Sequence, residues 1–150
     1  MRLAIFAFFL LIGCAHLQRT PIDELQPFEY GFKTSMSKAD QYQRSLLWMA
    51  NNYKNIGAVI SYTNANLGAI RGHSRVCLYR ADGTGTFCAT YNIDIDCKDG
   101  YEKLVFHNLE GLPHMENGLY VRGLDINYFD QYKMARQHFG AMALKWMGLL

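Results

Sequence analysis

The feature that most constrains this chain is residues 86–97, where apolar and polar side chains alternate without a break. Apolar residues occupy the odd positions from Phe87 to Ile95, while polar residues and one cysteine occupy the even positions from Cys88 to Asp96. Since successive side chains of a β-strand point to opposite faces, this period of two predicts a strand. One face of the strand is expected to be buried and the other solvated, as in an antiparallel sheet covered on one side.

Two hairpin signals flank this strand, at Asp82-Gly83 and at Asp99-Gly100. Asp-Gly favours the two-residue turn whose twist matches that of the adjoining strands. The neighbouring segments 70–80 and 101–109 are therefore predicted to be strands. Two-residue loops also predict the register, because apolar residues then face each other across the strands. The predicted pairs are Ile95 with Leu104, Ile93 with Phe106, Leu78 with Phe87, and Cys77 with Cys88.

The segments before this hairpin system predict a strand, a helix and a further strand. Ser37 followed by Asp40 resembles a capping box, which marks the start of a helix. Alternation or β-favouring composition predicts the strands on either side of it. The predicted elements are a strand over 28–32, a helix over 38–54, a strand over 58–63 and a turn over 64–68.

The C-terminal segment predicts a second long helix, which follows a connection over 110–124. Its apolar residues recur at steps of four and three, so they form one stripe along a helix of about 22 residues. Asp125 or Asn127 is expected to cap its N-terminus. The stripe consists of Tyr128, Tyr132, Ala135, Phe139, Met142, Trp146 and Leu149.

These elements follow the order β-α-β-β-β-β-α, an α+β fold in which two helices pack on one face of an antiparallel sheet. A chain of 150 residues that is 50% hydrophobic can bury a core, and residues 28–150 are predicted to form a single domain. The net charge is only +2. Such a small excess gives no support to a protein that tracks nucleic-acid phosphates, so no nucleic-acid partner is expected.

The N-terminus has the features of a secretory signal. Arg2 is followed by residues 3–13, which carry no polar side chain. This run is shorter than the roughly 20 residues that a membrane-spanning helix needs, but it fits the positive and apolar regions of a signal peptide. The residues Leu11-Ile12-Gly13-Cys14 resemble the lipobox of bacterial lipoproteins, in which the signal is cleaved before a lipidated cysteine. The alternative is that Cys14 is a small hydrophobe within an ordinary cleaved signal.

The lipobox resemblance divides the chain into a signal peptide over 1–13, a lipidated N-terminus and tether over 14–27, and the domain over 28–150. Each buried CH₂ of an acyl chain contributes about 0.8 kcal/mol, so lipidation would hold the protein on a membrane. Cys14 is followed by Ala15 rather than by the Asp that retains enterobacterial lipoproteins at the inner membrane. We therefore expect a cell-envelope location at the outer membrane, facing the periplasm.

Three groups of residues, taken with the element order, carry a family resemblance. They are Ser37-Lys38, Tyr42 and Trp48 in the first helix, Gly68, Ile70 and Gly72 on a strand, and Lys98-Asp99-Gly100-Tyr101 at a hairpin. Over residues 28–109 the chain resembles the DUF4468 family, whose members are bacterial, often secreted or lipid-anchored, and of unknown function. The resemblance implies a TBP-like fold. It does not imply DNA binding, because function belongs to sites rather than to folds.

Cys77 and Cys88 are predicted to lie opposite each other on the solvent face. An extracytoplasmic location favours a disulfide between them, which would staple the hairpin. Cross-strand Cβ atoms are about 4.5–5.5 Å apart, slightly more than the roughly 3.8 Å of a disulfide, so a local twist is needed. The alternatives are two free thiols or a register shifted by one residue. Cys97 falls on the core face, where we expect a buried, unreactive thiol.

No motif indicates a catalytic or metal site. The five histidines lack the spacing of metal ligands, and none follows a cysteine at zinc-site spacing. His73 shares a predicted face with Cys77, but an open sheet offers a thiol nucleophile neither a pocket nor an oxyanion hole. Asp94 and Asp96 are expected to be an ordinary solvated strand face. We therefore expect no catalytic residue, no metal and no cofactor.

One candidate interaction surface involves Trp48, which lies off the main apolar stripe of the first helix. With Met115, Leu119 and Tyr120 in the connection 110–124, it is predicted to form an exposed apolar patch that contacts a partner. The alternative is that Trp48 belongs to a wider buried face of the helix.

The signal, the single domain and the lack of a reactive constellation favour a non-catalytic, lipid-anchored domain of the cell envelope. Its expected partners are the membrane, through the N-terminal lipid, and a protein or other envelope component. A second interpretation is a module that binds a small ligand between the sheet and the connection 110–124. A third is an enzyme that uses Cys77 or Cys88 as a thiol nucleophile.

Overall fold

The computed structural model of the chain describes residues 26–79, 86–112, 114–116, 119–121 and 129–149, with side chains up to residue 112 and from residue 131 onward. The predicted signal with Cys14, the Asp82-Gly83 loop and the predicted caps Asp125 and Asn127 lie outside the described residues. In chain order the elements are β1 (Phe28–Lys33), α1 (Lys38–Asn52), α2 (Ile56–Val59), β2 (Ile60–Asn64), β3 (Ala69–Tyr79), β4 (Thr86–Lys98), β5 (Tyr101–Gly111), β6 (His114–Glu116), β7 (Leu119–Val121) and α3 (Phe129–Trp146).

Five strands form one antiparallel sheet in the order β1-β5-β4-β3-β2, while β6 and β7 form a separate antiparallel pair. The predicted register is confirmed, since Ile95 pairs with Leu104 and Cys77 pairs with Cys88. The α+β fold class and the order β-α-β-β-β-β-α of the main elements along the chain are also as expected. The short helix α2 and the β6–β7 hairpin are additions to it.

Strand β4 follows the predicted alternation over its whole length, with odd positions buried and even positions half-buried across 87–97. The buried face packs against both long helices, through Met49 of α1 and through Phe139 and Trp146 of α3. The Phe139 ring stacks on Phe106 with centroids 4.4 Å apart. Since apolar burial is the main favourable term in folding, this core on one face of the sheet fixes where the two long helices pack.

A β-bulge divides β5 into two parts. The pairing of β4 with β5 shifts between Thr90 and Asn92, and Asn108 on the opposing strand adopts φ 51°. Asparagine tolerates this left-handed conformation better than most residues with a Cβ atom. The inserted residue moves the following side chains to the other face, so Leu109 packs beside Phe87 on the helix side of the sheet.

Helix α1 begins at its predicted cap and ends two residues early. The Asp40 N–H donates to Ser37 Oγ at 3.2 Å. The helix ends at Asn52 because Tyr53 adopts an extended backbone, with φ −122° and ψ 120°. That conformation brings the Tyr53 hydroxyl 3.1 Å from the hydroxyl of Tyr91 in the core. A tertiary contact therefore overrides the helical pattern at this end.

Helix α3 is shorter than the predicted 22 or so residues, spanning 18. Its apolar stripe is buried as predicted at Phe139 and Trp146. The helix stops after Trp146 because Gly148 adopts φ 75° and the Leu149 N–H bonds to the carbonyl of Leu144 at 2.9 Å. This is the hydrogen bond of a glycine-terminated helix. Leu149 is consequently 67% exposed, so its predicted place in the stripe was wrong.

The connection predicted over 110–124 is not a continuous loop. Strand β5 continues to Gly111, and the β6–β7 hairpin follows, with Met115 paired to Tyr120. Strands of three residues are too short to show a recognisable alternation of apolar and polar side chains. The sequence pattern therefore did not predict β6 and β7. The Leu112 N–H donates to the carbonyl of Cys88 at 2.8 Å, which joins the start of this segment to β4.

Candidate functional site

The open face of the sheet, opposite the helices, carries a charged cluster around Asp94. Arg71 on β3 places Nε 3.5 Å from Asp94 Oδ2 and Nη2 2.6 Å from Asp96 Oδ1. His107 on β5 approaches from the other side, with Nε2 3.3 Å from the same Asp94 oxygen. The alternation of β4 brings both carboxylates to this face, and the register sets Arg71 of β3 and His107 of β5 on either side of Asp94.

The imidazole of His107 lies beside the Asp94 carboxylate without a hydrogen bond to it. Its Nε2 atom is buried and lies 3.3 Å from Asp94 Oδ2, outside hydrogen-bond geometry. The contact is therefore a proximity between a ring nitrogen and a carboxylate.

A pocket of about 290 Å³ opens at the corner where β1 begins. Phe28, the first residue of β1, pairs with Phe106, so residues 107–111 of β5 continue past the end of their partner strand. The volume is near the lower end of the roughly 300–1,000 Å³ that is usual for ligand pockets. The lining residues are Gln26, Pro27, Phe28, His107, Asn108, Leu109 and Tyr132.

The walls of this corner pocket are mainly apolar, and its polar groups are few. The Phe28 ring packs against Tyr132 with centroids 5.0 Å apart, and the Tyr132 hydroxyl donates to the carbonyl of Gln26 at 3.4 Å. Gln26, His107 and Asn108 supply the remaining polar side chains. Such a lining can hold an apolar group and hydrogen-bond one polar atom attached to it.

Our sequence analysis missed this pocket, although β5 contains a signal for it. Buried positions alternate through Leu104 and Phe106, and the next half-buried apolar residue is Leu109 rather than residue 108. A strand pattern that slips by one residue predicts a bulge, and bulges occur often beside functional sites. The polar Asn108 at the slip is also a residue type that tolerates positive φ.

A second polar cluster lies inside the core around Glu102. This side chain is completely buried, and its carboxylate accepts hydrogen bonds from Arg44 and Ser45 of α1. The Trp146 Nε1–H donates to Ser45 Oγ at 3.1 Å. The cluster therefore connects α1, α3 and β5, and its charges are paired internally. Sequence reasoning missed it, although a glutamate in phase with Leu104 is a charged residue on the buried face.

The Cys97 thiol is buried beside this cluster, as predicted. Its Sγ atom lies 3.7 Å from Glu102 Oε1. Burial, reinforced by the Glu102 carboxylate, raises the pKa of the thiol to about 12. Since the thiolate is the nucleophilic form, Cys97 is unsuited to covalent catalysis at neutral pH.

Cys77 and Cys88 are joined by a disulfide across β3 and β4, with Cα atoms 4.0 Å apart. The bond lies on the open face, four register positions along β3 and β4 from His73 and its partner Asn92. Neither sulfur is therefore a free thiol.

The structure contradicts the prediction that Trp48 is exposed. Its side chain is only 7% exposed, and its ring packs edge-on against Tyr53 with centroids 6.1 Å apart. Helix α1 packs across both β3 and β4, so it buries a wider face than its main stripe indicated. Met115, Leu119 and Tyr120 belong to the β6–β7 hairpin, and their side chains lie outside the described part of the chain.

The remaining polar residues of the open face do not form a metal site. The His73 Nδ1 atom lies 2.9 Å from Asn92 Oδ1. Among the side chains that the structure describes, no three histidine, cysteine or acidic residues converge as metal ligands. Within the same described ranges, none of the helices combines the length and the hydropathy that crossing a bilayer requires.

Two solved bacterial structures resemble this fold. A TBP-like protein from Parabacteroides distasonis ATCC 8503 superposes with a TM-score of 0.68 and 13% identity, covering 82% of this chain and 90% of that one. A DUF4468 family protein from Bacteroides ovatus ATCC 8483 superposes with a TM-score of 0.57 and 16% identity, covering 87% and 86%. At these identities the likeness concerns the fold alone. No curated protein sequence matches the chain.

The family model described as "Domain of unknown function (DUF4468) with TBP-like fold" matches residues 33–110, more than half of the 150-residue chain. The match runs from the last residue of β1 almost to the end of β5, and so contains α1 and the central strands of the sheet. It also contains the three groups of residues on which the resemblance rested. The chain therefore belongs to the DUF4468 family, a family of unknown function with a TBP-like fold.

Proposed function

We propose that this protein is a non-catalytic, lipid-anchored domain of the cell envelope that binds a protein or other envelope component. The observation that carries the binding part is the corner pocket, where an apolar wall meets His107 and Asn108. An apolar pocket with a few convergent polar groups is the usual form of a binding site.

The size of the corner pocket favours a protein partner over an isolated small molecule. Its 290 Å³ accommodate about one large side chain. Burying one such apolar side chain contributes only about 1.5–3 kcal/mol. An occupant of that size binds weakly alone, but it serves as an anchor within a larger interface.

The anchoring part of the proposal rests on the sequence. Arg2, the apolar residues 3–13 and Cys14 together resemble a lipoprotein signal. The Ala15 that follows leads us to propose the outer membrane, on its periplasmic side. The disulfide on the open face supports an extracytoplasmic location, because disulfides persist in oxidising compartments.

The non-catalytic part is supported by the state of the described cysteines. Cys77 and Cys88 are bonded to each other, and the Cys97 thiol has a pKa raised to about 12 by burial. A thiol-dependent enzyme, the least favoured interpretation, therefore has no nucleophile among them.

Membrane fractionation of a Cys14→Ala variant tests the anchoring part. The wild-type protein is expected to sediment with membranes, and the variant is expected to be released. A His16→Ala variant, changed just outside the lipobox, is the matched control and should stay with the membranes. If the Cys14→Ala protein still sediments, lipid anchoring is not what holds the chain on the membrane.

Crosslinking in intact cells tests the binding part. The full-length lipidated protein carries a C-terminal tag, and crosslinking precedes solubilisation and mass spectrometry. Leu109→Trp fills the corner pocket, so the partner captured by the wild type should be lost. Leu47→Trp, at a position that is 62% exposed on α1, should retain it. Equal capture by both variants would exclude the pocket as the binding site.

The second candidate function is binding of a small ligand in the same pocket. The site lies at the β1–β5 corner, whereas the sequence had suggested a ligand site between the sheet and the connection 110–124. A thermal-shift screen of lipids, sugars and short peptides tests this candidate, because a ligand raises Tm by mass action. A shift that disappears in Leu109→Trp supports the small-ligand interpretation, and a flat screen removes it.

A further inference from the structure

Strand β3 is longer than the edge strand beside it. Its pairing with β2 runs from Ala69 opposite Asn64 to Gly72 opposite Ile60. The remaining residues of β3, 73–79, pair with β4 on one side. On their other side no strand of the described chain is bonded to them. We call this segment the β3 edge.

The backbone groups of Cys77 point out from the β3 edge. The carbonyl of Cys88 accepts a hydrogen bond from the Leu112 N–H at 2.8 Å, so it points towards β5 and away from β3. Because the N–H and C=O of one strand residue point to the same side, Cys77 and Cys88 form a non-hydrogen-bonded pair. Their short Cα separation of 4.0 Å agrees with that assignment.

The backbone N–H and C=O groups of the other odd-numbered residues of β3 point in the same direction as those of Cys77. Arg71, an odd-numbered residue, turns its carbonyl towards β2, where it accepts a hydrogen bond from Ser61 Oγ at 3.3 Å. Since the direction alternates along a strand, His73, Arg75 and Cys77 present their N–H and C=O groups at the β3 edge. A row of this kind, to which no strand of the described chain is bonded, is a template for an added strand.

The side chains along the β3 edge differ between the two faces of the sheet. On the open face, Arg75 is exposed and makes no ion pair with any described residue, and the exposed His73 stands beside it. On the helix face, Val76 is 8% exposed and Leu78 is half-buried. A strand added here places alternate side chains against these two surfaces.

We propose that the β3 edge is a strand-addition site for an extended segment of a partner protein in which acidic residues alternate with apolar ones. The backbone row supplies hydrogen bonds, the acidic side chains meet Arg75, and the apolar ones extend the layer of Val76. The Cys77–Cys88 disulfide ties the edge to β4, so the template is held in place before binding. The β3 edge lies towards the β2 end of the sheet, whereas the corner pocket lies at the β1 end. The two sites are therefore separate, and neither depends on the other.

Fluorescence anisotropy with two synthetic peptides tests this proposal on the full-length protein in detergent. One labelled peptide of about nine residues alternates Glu with Val, and its control alternates Lys with Val. We expect saturable binding of the Glu peptide, at least about tenfold tighter than that of the Lys peptide. Absence of saturable binding, or equal binding of the two peptides, overturns the proposal. Arg75 would then be a charge that keeps other chains from pairing with an exposed edge.

Proline substitutions test the backbone direction. Arg75→Pro removes an outward N–H that β4 does not use, and proline is tolerated on such an edge. It should weaken Glu-peptide binding about tenfold relative to Arg75→Ala, with the fold retained. Ser74→Pro removes an N–H bonded to β4 and should destabilise the domain instead. Binding by Arg75→Pro as tight as that by Arg75→Ala contradicts the proposal.

Hydrogen exchange of the wild-type protein provides a test that needs no variant. The amides of Arg75 and Cys77 should exchange quickly in the free protein, whereas those of Val76 and Leu78 should be protected. The Glu peptide should protect Arg75 and Cys77. If these two amides are already protected in the free protein, the β3 edge is covered and the proposal fails.

Discussion

The Asp99 Oδ1 atom accepts a hydrogen bond from the backbone N–H of Lys38 at 2.8 Å, joining the β4–β5 hairpin to the first turn of α1. The Gln41 side chain strengthens this joint by donating to the carbonyl of Lys98 at 2.8 Å. A carboxylate at a helix N-terminus pairs an amide that has no partner within the helix and complements the helix dipole. The Lys98–Tyr101 hairpin of this chain is therefore a sheet-to-helix contact as well as a turn.

Removing this contact should lower the free energy of unfolding. Asp99→Ala is expected to cost about 0.5–2 kcal/mol, the range for losing a side-chain cap. Urea denaturation measures the change. Asp99→Asn keeps an acceptor oxygen, so it should lose less than the alanine variant. Equal losses in the two variants would show that the acceptor oxygen of residue 99 does not account for the effect, because asparagine also keeps the turn preference.

The buried carboxylate of Glu102 should matter far more than a surface ion pair. Glu102→Ala leaves Arg44 without its partner. Breaking a fully buried pair costs about 3–5 kcal/mol, and because the Arg44 side chain is 30% exposed we expect a loss at the lower end of that range. Glu29→Ala is the matched control, because its pair with Lys103, at 2.8 Å, is exposed. Such surface pairs contribute only about 0–1 kcal/mol. If chemical denaturation gives similar losses for both variants, the Glu102 cluster does not stabilise the core.

Thiol titration should find no reactive cysteine in the native protein. Cys77 and Cys88 are bonded, and burial raises the pKa of Cys97 to about 12. The full-length lipidated protein should therefore react with a disulfide reagent only after denaturation, and then at one thiol. Cys97→Ala should abolish that signal. Three thiols after denaturation would contradict the disulfide, and a native thiol would contradict the burial of Cys97.

Stability should fall on mild acidification partly because of His138 in α3. Burial, with a smaller contribution from Lys145, lowers the pKa of His138 in the folded state. The unfolded chain keeps a histidine pKa near about 6.5, so below that pH it binds more protons than the folded chain and stability is lost. His138→Gln should lose less stability than the wild type between about pH 7.5 and pH 5.5. Parallel losses in urea titrations would show that His138 does not contribute.

The sheet could be predicted from the sequence because its signals are local and strong. The alternation through β4 and the Asp99-Gly100 turn together define one register, and a slip by one residue would expose Ile93 and Ile95 to solvent. Elements decided by tertiary contacts were predicted less well. Trp48 lies off the apolar stripe of α1, yet the width of the sheet beneath it covers that side as well.

The candidate site could not be predicted because it exists only where separate segments meet. The corner pocket combines the start of β1, the bulge of β5 and Tyr132 of α3, which no spacing rule connects. The His107–Asp94 contact likewise joins residues on two different strands, which are diagonal neighbours in the β4–β5 register. Composition and motifs describe residues along a chain, whereas a pocket depends on the shape of the packed surface.

Site-specific photocrosslinking in intact cells tests the central claim, that the corner pocket binds an envelope component. A photoreactive amino acid replaces Leu109 in the pocket or, as a control, the exposed Leu47 on α1. Our account predicts one reproducible adduct of defined mass from position 109 in the membrane fraction and none of that mass from position 47. No adduct from position 109, or the same adducts from both positions, would contradict it.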